Sequence, residues 1–406
     1  MIDSGQRIYD IIEFEQASFE PEEHFDSAVQ KLWETYGQSQ KRIDVDLPSF
    51  KTDHRWRLTS RGWIGFIPVT PLVGFRLNSK VPISNIFRML EYAYRLQSFH
   101  LLEGIANFGS LEDIYDRLAK ILAKSVLDRA RKGFYRTYLG ETELLSFLRG
   151  RIDIQYALQC PLDAKLRCHY EEHTADVAEN QILAWSLSKI LRARLCSDET
   201  LILVRHAFHS LQGFARIHPY SPRDCIRRFY NRLNEDYKPL HALCRFFLEQ
   251  TGPTHDCGDH QMIPFLVKMS GLFEMFVYEW LKCKLPLHLI LTGHDRVRIS
   301  EECGVQIDID MVLYDTERQK VVCVLDTKYK APDSPASDDM MQVVSYAVAK
   351  GCNEAVLIYP TLLPNHVDTF WGAGRIRVRS LVFDIGKDLE EAGNGLLRGL
   401  SDIISQ

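Results

Sequence analysis

Two apolar stretches sixteen residues apart carry acids where packing residues belong: Ile307-Asp308-Ile309-Asp310-Met311-Val312-Leu313 and Val324-Leu325-Asp326-Thr327-Lys328-Tyr329-Lys330. Both read as strands, whose side chains alternate between faces. Asp308 and Asp310 therefore share one face, and Asp326 and Lys328 share one while Thr327 points to the other. Carboxylates on buried strands are costly to desolvate unless a cation is bound there. Hard oxygen ligands suit Mg2+, with Mn2+ as the substitute. The chemistry that uses such a set is metal-assisted hydrolysis of a phosphodiester. Asp310, Asp326 and the backbone carbonyl of Thr327 would ligate the ion, which would activate water and stabilise charge developing on the phosphate. Lys328 would orient or polarise the attacking water. The plainer alternative is a hairpin whose ends carry solvated charges and an ion pair of little worth.

The neighbouring pattern predicts how these strands are held. Met269 to Leu281 has helical spacing and embeds Glu274 among apolar residues, and Leu287 to Leu291 is a short apolar strand. Val305 to Leu313 and Val321 to Leu325 follow as strands, separated by the polar turn Tyr314 to Lys320. Ser337 to Ala349 is a helix with Gln342 and Tyr346 on one face, and Ala355 to Pro360 is a buried strand stopped by proline. Helix, three strands, helix, strand predicts an α/β sandwich around a small mixed sheet. A helix acid, a strand Asp, a strand Asp-x-Lys and a helix Gln-x-x-x-Tyr, in that order, resemble the PD-(D/E)xK nuclease superfamily, with Ile309 where its proline stands. The resemblance adds Glu274 and Gln342 to the catalytic set, and Glu274 to the metal ligands.

Upstream the grammar differs. Residues 54–78 read as strands with Gly and Pro punctuation, and a helix follows with Ser84 as its N-cap. Helical periodicity then dominates, over Leu111 to Arg131, Asn180 to Leu195 and Cys225 to Glu249, interrupted by strand signals at Leu148 to Asp153 and Leu166 to Tyr170. The turn-rich segment Gln250 to His260 is the best boundary. The fold class expected is α+β and multidomain: a β-rich N-terminal partner-docking domain over 1–100, a mainly helical middle over 101–258, and a restriction-endonuclease-like α/β domain over 259–406.

The blocks Lys80 to Ala93, Leu148 to Asp153, Thr174 to Asn180, Leu272-Phe273-Glu274 and Asp326 to Lys330 look like the successive blocks of the McrC family, the nuclease subunit of modified-cytosine restriction systems. The resemblance spans roughly residues 50–350 and leaves the first 50 unmatched. It implies a C-terminal endonuclease, an N-terminal region that docks on a hexameric McrB-like AAA+ GTPase, and DNA cleavage coupled to that partner's nucleotide hydrolysis, as in type IV antiviral defence against 5-methylcytosine DNA. Trp56, Trp63 and Phe66, read as exposed, place the docking contact on the strands of 54–78.

Composition bounds these readings. The chain has 406 residues, 46% hydrophobic, with a net charge of −5, which fits an ordinary globular protein and gives no global basic footprint for nucleic acid. A partner that supplies DNA recognition would account for this. No GxxxxGK[ST] sequence is present, so the chain itself is expected to bind no nucleotide. Ten cysteines without a CxxC pair suit a reducing cytoplasm, and no apolar run is long enough for a membrane span. His255 to His260, His206 with His209 (one read as partly buried, one exposed), and Cys168 with His169 and His173 match no zinc spacing. Arg149 and Arg151 could touch phosphate or partner, or form a structural ion pair. The competing functions are a stand-alone repair or CRISPR-associated exonuclease of the same superfamily and a non-catalytic scaffold that stimulates a motor.

Overall fold

The computed structural model describes residues 7–38, 41–96, 110–159, 164–193, 195–226, 228–250, 255–257, 260–262, 264–298, 306–330, 332–371 and 375–404. The chain forms two compact units, Tyr115–Thr251 and the pair of flanking segments Asp3–Ile114 and Gly252–Gln406.

The N-terminal segment runs β1 (Arg7–Ile12), β2 (Gln16–Phe19), α1 (Glu23–Leu32), β3 (Ile43–Asp46), β4 (Trp56–Ser60), β5 (Trp63–Pro68), β6 (Val73–Asn78) and α2 (Ile83–Ala93). The first 50 residues thus supply strands to the same small sheets as 54–78, in the orders β2-β4-β3 and β1-β6-β5. Phe25, Leu32, Tyr36, Leu58, Phe75 and Leu77 are buried together in one core, where each such side chain contributes about 1.5–3 kcal/mol. Trp56 and Phe66, expected at the surface, are 8% and 1% exposed, and Trp63 is half-buried under the Arg42 guanidinium. Trp56 belongs to that core, Trp63 packs against it and Phe66 is buried elsewhere, which removes the ground for placing a partner contact on them. Helix α2 starts at Ile83 rather than after Ser84. Pro82, at φ −54 and ψ 135, is its N-cap, and the Pro82 carbonyl accepts from the amides of Asn85 and Ile86.

The unit Tyr115–Thr251 contains most of α3 (Leu111–Lys132), then β7 (Thr137–Leu145), β8 (Arg151–Ile152), α4 (Ile154–Gln159), β9 (Leu166–Thr174), α5 (Ala178–Ala193), α6 (Asp198–Leu211) and α7 (Tyr237–Glu249). β7, β9 and β8 make a three-stranded arm. Gly150, at φ +69, turns into β8 where a Cβ would collide with the His169 carbonyl, so the Arg-Gly-Arg turn requires glycine. The helix expected over Cys225 to Glu249 begins only at Tyr237. Before it, Pro222–Cys225 is a single 3-10 turn, and the Asn234 side chain accepts from the Asn231 amide, a local bond that competes with helix. Helix α6 is capped by Ser197.

The C-terminal segment adds β10 (His255–Cys257), β11 (His260–Met262), β12 (Phe265–Lys268), α8 (Met269–Lys284), β13 (Leu289–Arg298), β14 (Gln306–Asp315), β15 (Lys320–Thr327), α9 (Ser337–Lys350), β16 (Glu354–Tyr359), β17 (Asp368–Trp371), β18 (Ile376–Val382) and α10 (Leu389–Ile404). The expected order of helix, three strands, helix and strand is present, and β17, β18 and α10 extend it. The sheet has six strands in the order β13-β14-β15-β16-β18-β17, antiparallel from β13 to β15 and parallel from β15 through β16 to β18. Within the described residues, no helix is long and apolar enough to cross a membrane.

The sequence divides 1–100 from 259–406, whereas the structure joins them in one unit. β12 pairs with β5, and Gly65 permits it because any Cβ there would strike the Phe265 carbonyl. The Asn85 side chain donates 2.8 Å hydrogen bonds to the carbonyls of Ile385 and Lys387, and Arg95 grips Glu279 of α8 in a fork.

Candidate functional site

Pairing between β14 and β15 runs to Met311–Leu325, and Asp310 and Asp326 are the next residues along the two strands. They stand opposite each other, two positions from the paired Val312 and Val324, on the face packed against α9 residues Val343, Val344 and Ala347. Asp310 is half-buried, while Asp326 is 0% exposed. Burial, and then the negative charge of Asp310, push the Asp326 carboxyl up to about 7, against the opposing pull of Lys328.

Lys328 follows two residues later. Its ammonium lies 2.8 Å from Asp326 Oδ2 and donates to Gln342 Oε1 at 2.8 Å. The Gln342 amide in turn donates to Tyr346 Oη at 2.5 Å, one turn along α9. Burial raises the Tyr346 hydroxyl to about 12. The Lys328–Asp326 contact is close but badly angled, so neither Asp326 oxygen has a hydrogen-bond partner. The Asp-x-Lys and Gln-x-x-x-Tyr elements, distant in sequence, are thus one connected set.

Glu274 projects from α8, which packs on β13 and β15. Burial first, and the Asp310 charge second, raise its carboxyl above the usual range. Its Oε1 lies 3.8 Å from His294 Nδ1. Gly293 pairs with Met311 and Asp295 with Ile309, which sets His294 opposite Asp310 at φ +51. Sequence reasoning missed His294, and it missed Asp339, which lies 4.0 Å from Lys328 and also contacts Lys330. Asp339 reads in the sequence as a first-turn helix acid, and nothing in its spacing marks the lysines it meets. Asp308 stands apart from the set, exposed and paired with Arg296 at 2.8 Å.

The weaker signals resolve into structure. Cys168 is buried, while His169 bonds Thr142 at 2.8 Å and His173 lies against the Tyr138 ring. His206 and His209 are both exposed on α6, correcting the expectation of one buried, because the helix turns Val204, Ala207 and Leu211 inward instead. Arg149 stacks 3.8 Å over Tyr170. In the Thr174 to Asn180 block, the Asn180 side chain donates to the carbonyls of Tyr135 and Ala175 and accepts from the Tyr237 hydroxyl. The stretch His255 to His260 lies, in its side chains, outside the described residues.

Among the described residues no group of three His, Cys, Asp or Glu side chains forms a metal cage. Mg2+ binds through one or two carboxylates and keeps several waters, so it does not require such a cage. A buried carboxylate with no well-formed hydrogen bond, ion-paired to Lys328 and facing a second carboxylate, is a donor set that fits such a cation.

Comparison with known proteins finds relatives in sequence and in fold. A type IV methyl-directed restriction enzyme of Escherichia coli strain K12, EcoKMcrBC, is 23% identical over 326 residues, covering 75% of this chain and 91% of the relative. In fold, the chain resembles one chain of a half-complex from a tetradecameric assembly of Thermococcus gammatolerans McrB AAA+ hexamers with bound McrC. The TM-score is 0.57 at 19% identity, with 98% of this chain and 100% of the other covered. Residues 58–360 match the family described as McrBC 5-methylcytosine restriction system component. That match takes in both strands of the acid pair and the helix that carries Gln342, and the chain belongs to this family.

Proposed function

We propose that this chain is the Mg2+-dependent DNA endonuclease subunit of a modified-cytosine restriction system, with a PD-(D/E)xK centre at Asp310, Asp326 and Lys328. The observation that carries the reading is the buried Asp326 carboxylate with no hydrogen-bond partner, facing Asp310 and ion-paired to Lys328. Asp310, Asp326 and the Thr327 carbonyl hold the cation, and Glu274 supports them from α8. The cation supplies charge neutralisation at the phosphate and activation of water. Lys328, fixed by Gln342 and Tyr346, orients the attacking water and gives positive charge where the phosphate becomes more negative.

A AAA+ GTPase hexamer is the proposed partner, supported by the McrB hexamers of the structural relative. Among the described residues, exposed apolar side chains that such a partner could cover include Tyr138, Phe147, Leu148, Ile154 and Leu158 around the arm of β7, β8 and α4. A purely scaffolding subunit would have no use for an orphaned acid in its sheet. In the presence of the partner, Asp326→Ala and Lys328→Ala are expected to abolish cleavage of methylated duplex DNA while leaving fold and partner binding intact. Cleavage retained by either purified variant would refute the assignment.

A further inference from the structure

Glu13 lies at the end of β1, far from the acid pair in sequence, and is 1% exposed. Its Oε1 accepts three hydrogen bonds: from the Ser79 hydroxyl at 3.0 Å, the Lys80 amide at 3.0 Å and the Tyr329 hydroxyl at 2.8 Å. Its Oε2 is buried without a partner. Tyr329 is the residue directly after Lys328. Its ring lies between Phe14, at 6.2 Å, and Phe273, at 6.1 Å, and Phe273 is the neighbour of Glu274.

The turn that presents Glu13 is itself built for this. Phe14 has φ +58, a left-handed conformation unusual for a phenylalanine, and its amide is tied to the Ser60 carbonyl at 2.9 Å. The amide of Glu13 is tied to the Asn78 carbonyl at 2.9 Å. One strained turn therefore offers a carboxylate and a ring to the same tyrosine. A core that needed only packing here would have no reason to bury an acid with an unpaired oxygen.

We infer that Glu13 is a positioning residue for the proposed nuclease centre: through Tyr329 it fixes the chain leaving β15 and so sets where the Lys328 ammonium stands. The inference rests on the reading of Asp326 and Lys328 as nuclease residues. It also gives the N-terminal strands a task at the site, since the same hydrogen-bond cluster includes Ser79 and Lys80 at the entry to α2. Neither Glu13 nor Tyr329 touches substrate in this account. Without them Lys328 remains tethered to Asp326 and Gln342, and Lys330 to Asp339, but Tyr329 between the two lysines loses its anchor.

The test uses the full chain with its AAA+ partner and methylated duplex DNA, comparing wild type with Tyr329→Phe, Glu13→Ala, Glu13→Gln and the double variant Glu13→Ala/Tyr329→Phe. Tyr329→Phe removes one hydroxyl and keeps the ring, so it remains informative if Glu13→Ala fails to fold. Misplacement of a reacting group on this scale lowers turnover by about 10- to 100-fold. That fall is expected in kcat with KM unchanged, with partial recovery in Glu13→Gln and a double variant no worse than the poorer single. Wild-type turnover in a folded Tyr329→Phe, or losses that multiply in the double variant, would overturn the inference. Asp326→Ala serves as the control: if it is inactive while Tyr329→Phe is unimpaired, the positioning role alone fails. If Asp326→Ala still cleaves, the nuclease reading and this inference both fall.

Discussion

Two buried polar clusters among the described residues treat their atoms in opposite ways. In the unit Tyr115–Thr251, Asn180 and His241 are both 0% exposed, and every polar atom of each is satisfied. His241 uses one ring nitrogen with the Tyr230 hydroxyl at 2.8 Å and the other with the Glu179 carbonyl at 3.0 Å. In the six-stranded sheet, Asp326 is equally buried, with the Lys328 ammonium 2.8 Å from one oxygen but no well-formed hydrogen bond to either. A satisfied network rigidifies a core, while an unsatisfied acid raises the energy of the fold unless something else binds it.

The largest effect should come from breaking the acid pair. Asp310→Ala is expected to reduce DNA cleavage by about 1000-fold, the scale of losing a group that stabilises transition-state charge. Asp308→Ala, two residues away but solvated and paired only with Arg296, should stay within about twofold. Parallel cleavage assays on these two variants ask whether the opposition of Asp310 to Asp326, rather than acidity along β14, matters.

The satisfied cluster makes a prediction of its own. Burial lowers His241 to about 4, from an ordinary value of about 6.5, so the folded state holds it neutral. Between these values the unfolded chain binds more protons than the folded one. Stability is therefore full above about 6.5 and is lost as the pH falls toward about 4, by about 3 kcal/mol through this residue. Amide protection in α7, followed by hydrogen exchange across that range, should show the decline, and His241→Gln, which cannot take up the charge, should flatten it.

A smaller and opposite effect is expected at the unsatisfied cluster. Asp326→Asn removes a desolvated carboxylate beside Asp310 and should stabilise the cation-free protein near pH 8, on the order of 1 kcal/mol, while eliminating cleavage. Thermal unfolding in chelator would record it. A drop in stability instead would mean that Asp326 is a structural ion pair with Lys328.

Legibility in the sequence followed the distance over which residues must cooperate. Asp310, Asp326, Lys328, Gln342 and Tyr346 were readable because strand alternation and helical spacing are local, and each pair shares one element or one hairpin. Glu13, His294 and Asp339 were not. Glu13 meets Tyr329 only after β1 has joined β6, and His294 meets Asp310 only through the register of β13 on β14. The burial of Trp56 is hidden for the same reason: alternation says which residues share a face, and the core that covers it comes partly from the first 50 residues, which match no pattern. The contacts that join 1–100 to 259–406 are equally remote in sequence: β12 is a four-residue strand too short to announce its pairing with β5, and Asn85 and Arg95 reach residues about 300 and 184 positions away.

The central claim is that the acid pair awaits a divalent cation, and calorimetric titration of Mg2+ into the full-length wild-type chain and into Asp326→Asn tests it most directly. The account predicts binding in the wild type that Asp326→Asn loses. Identical titrations of the two proteins, with or without heat, would contradict it.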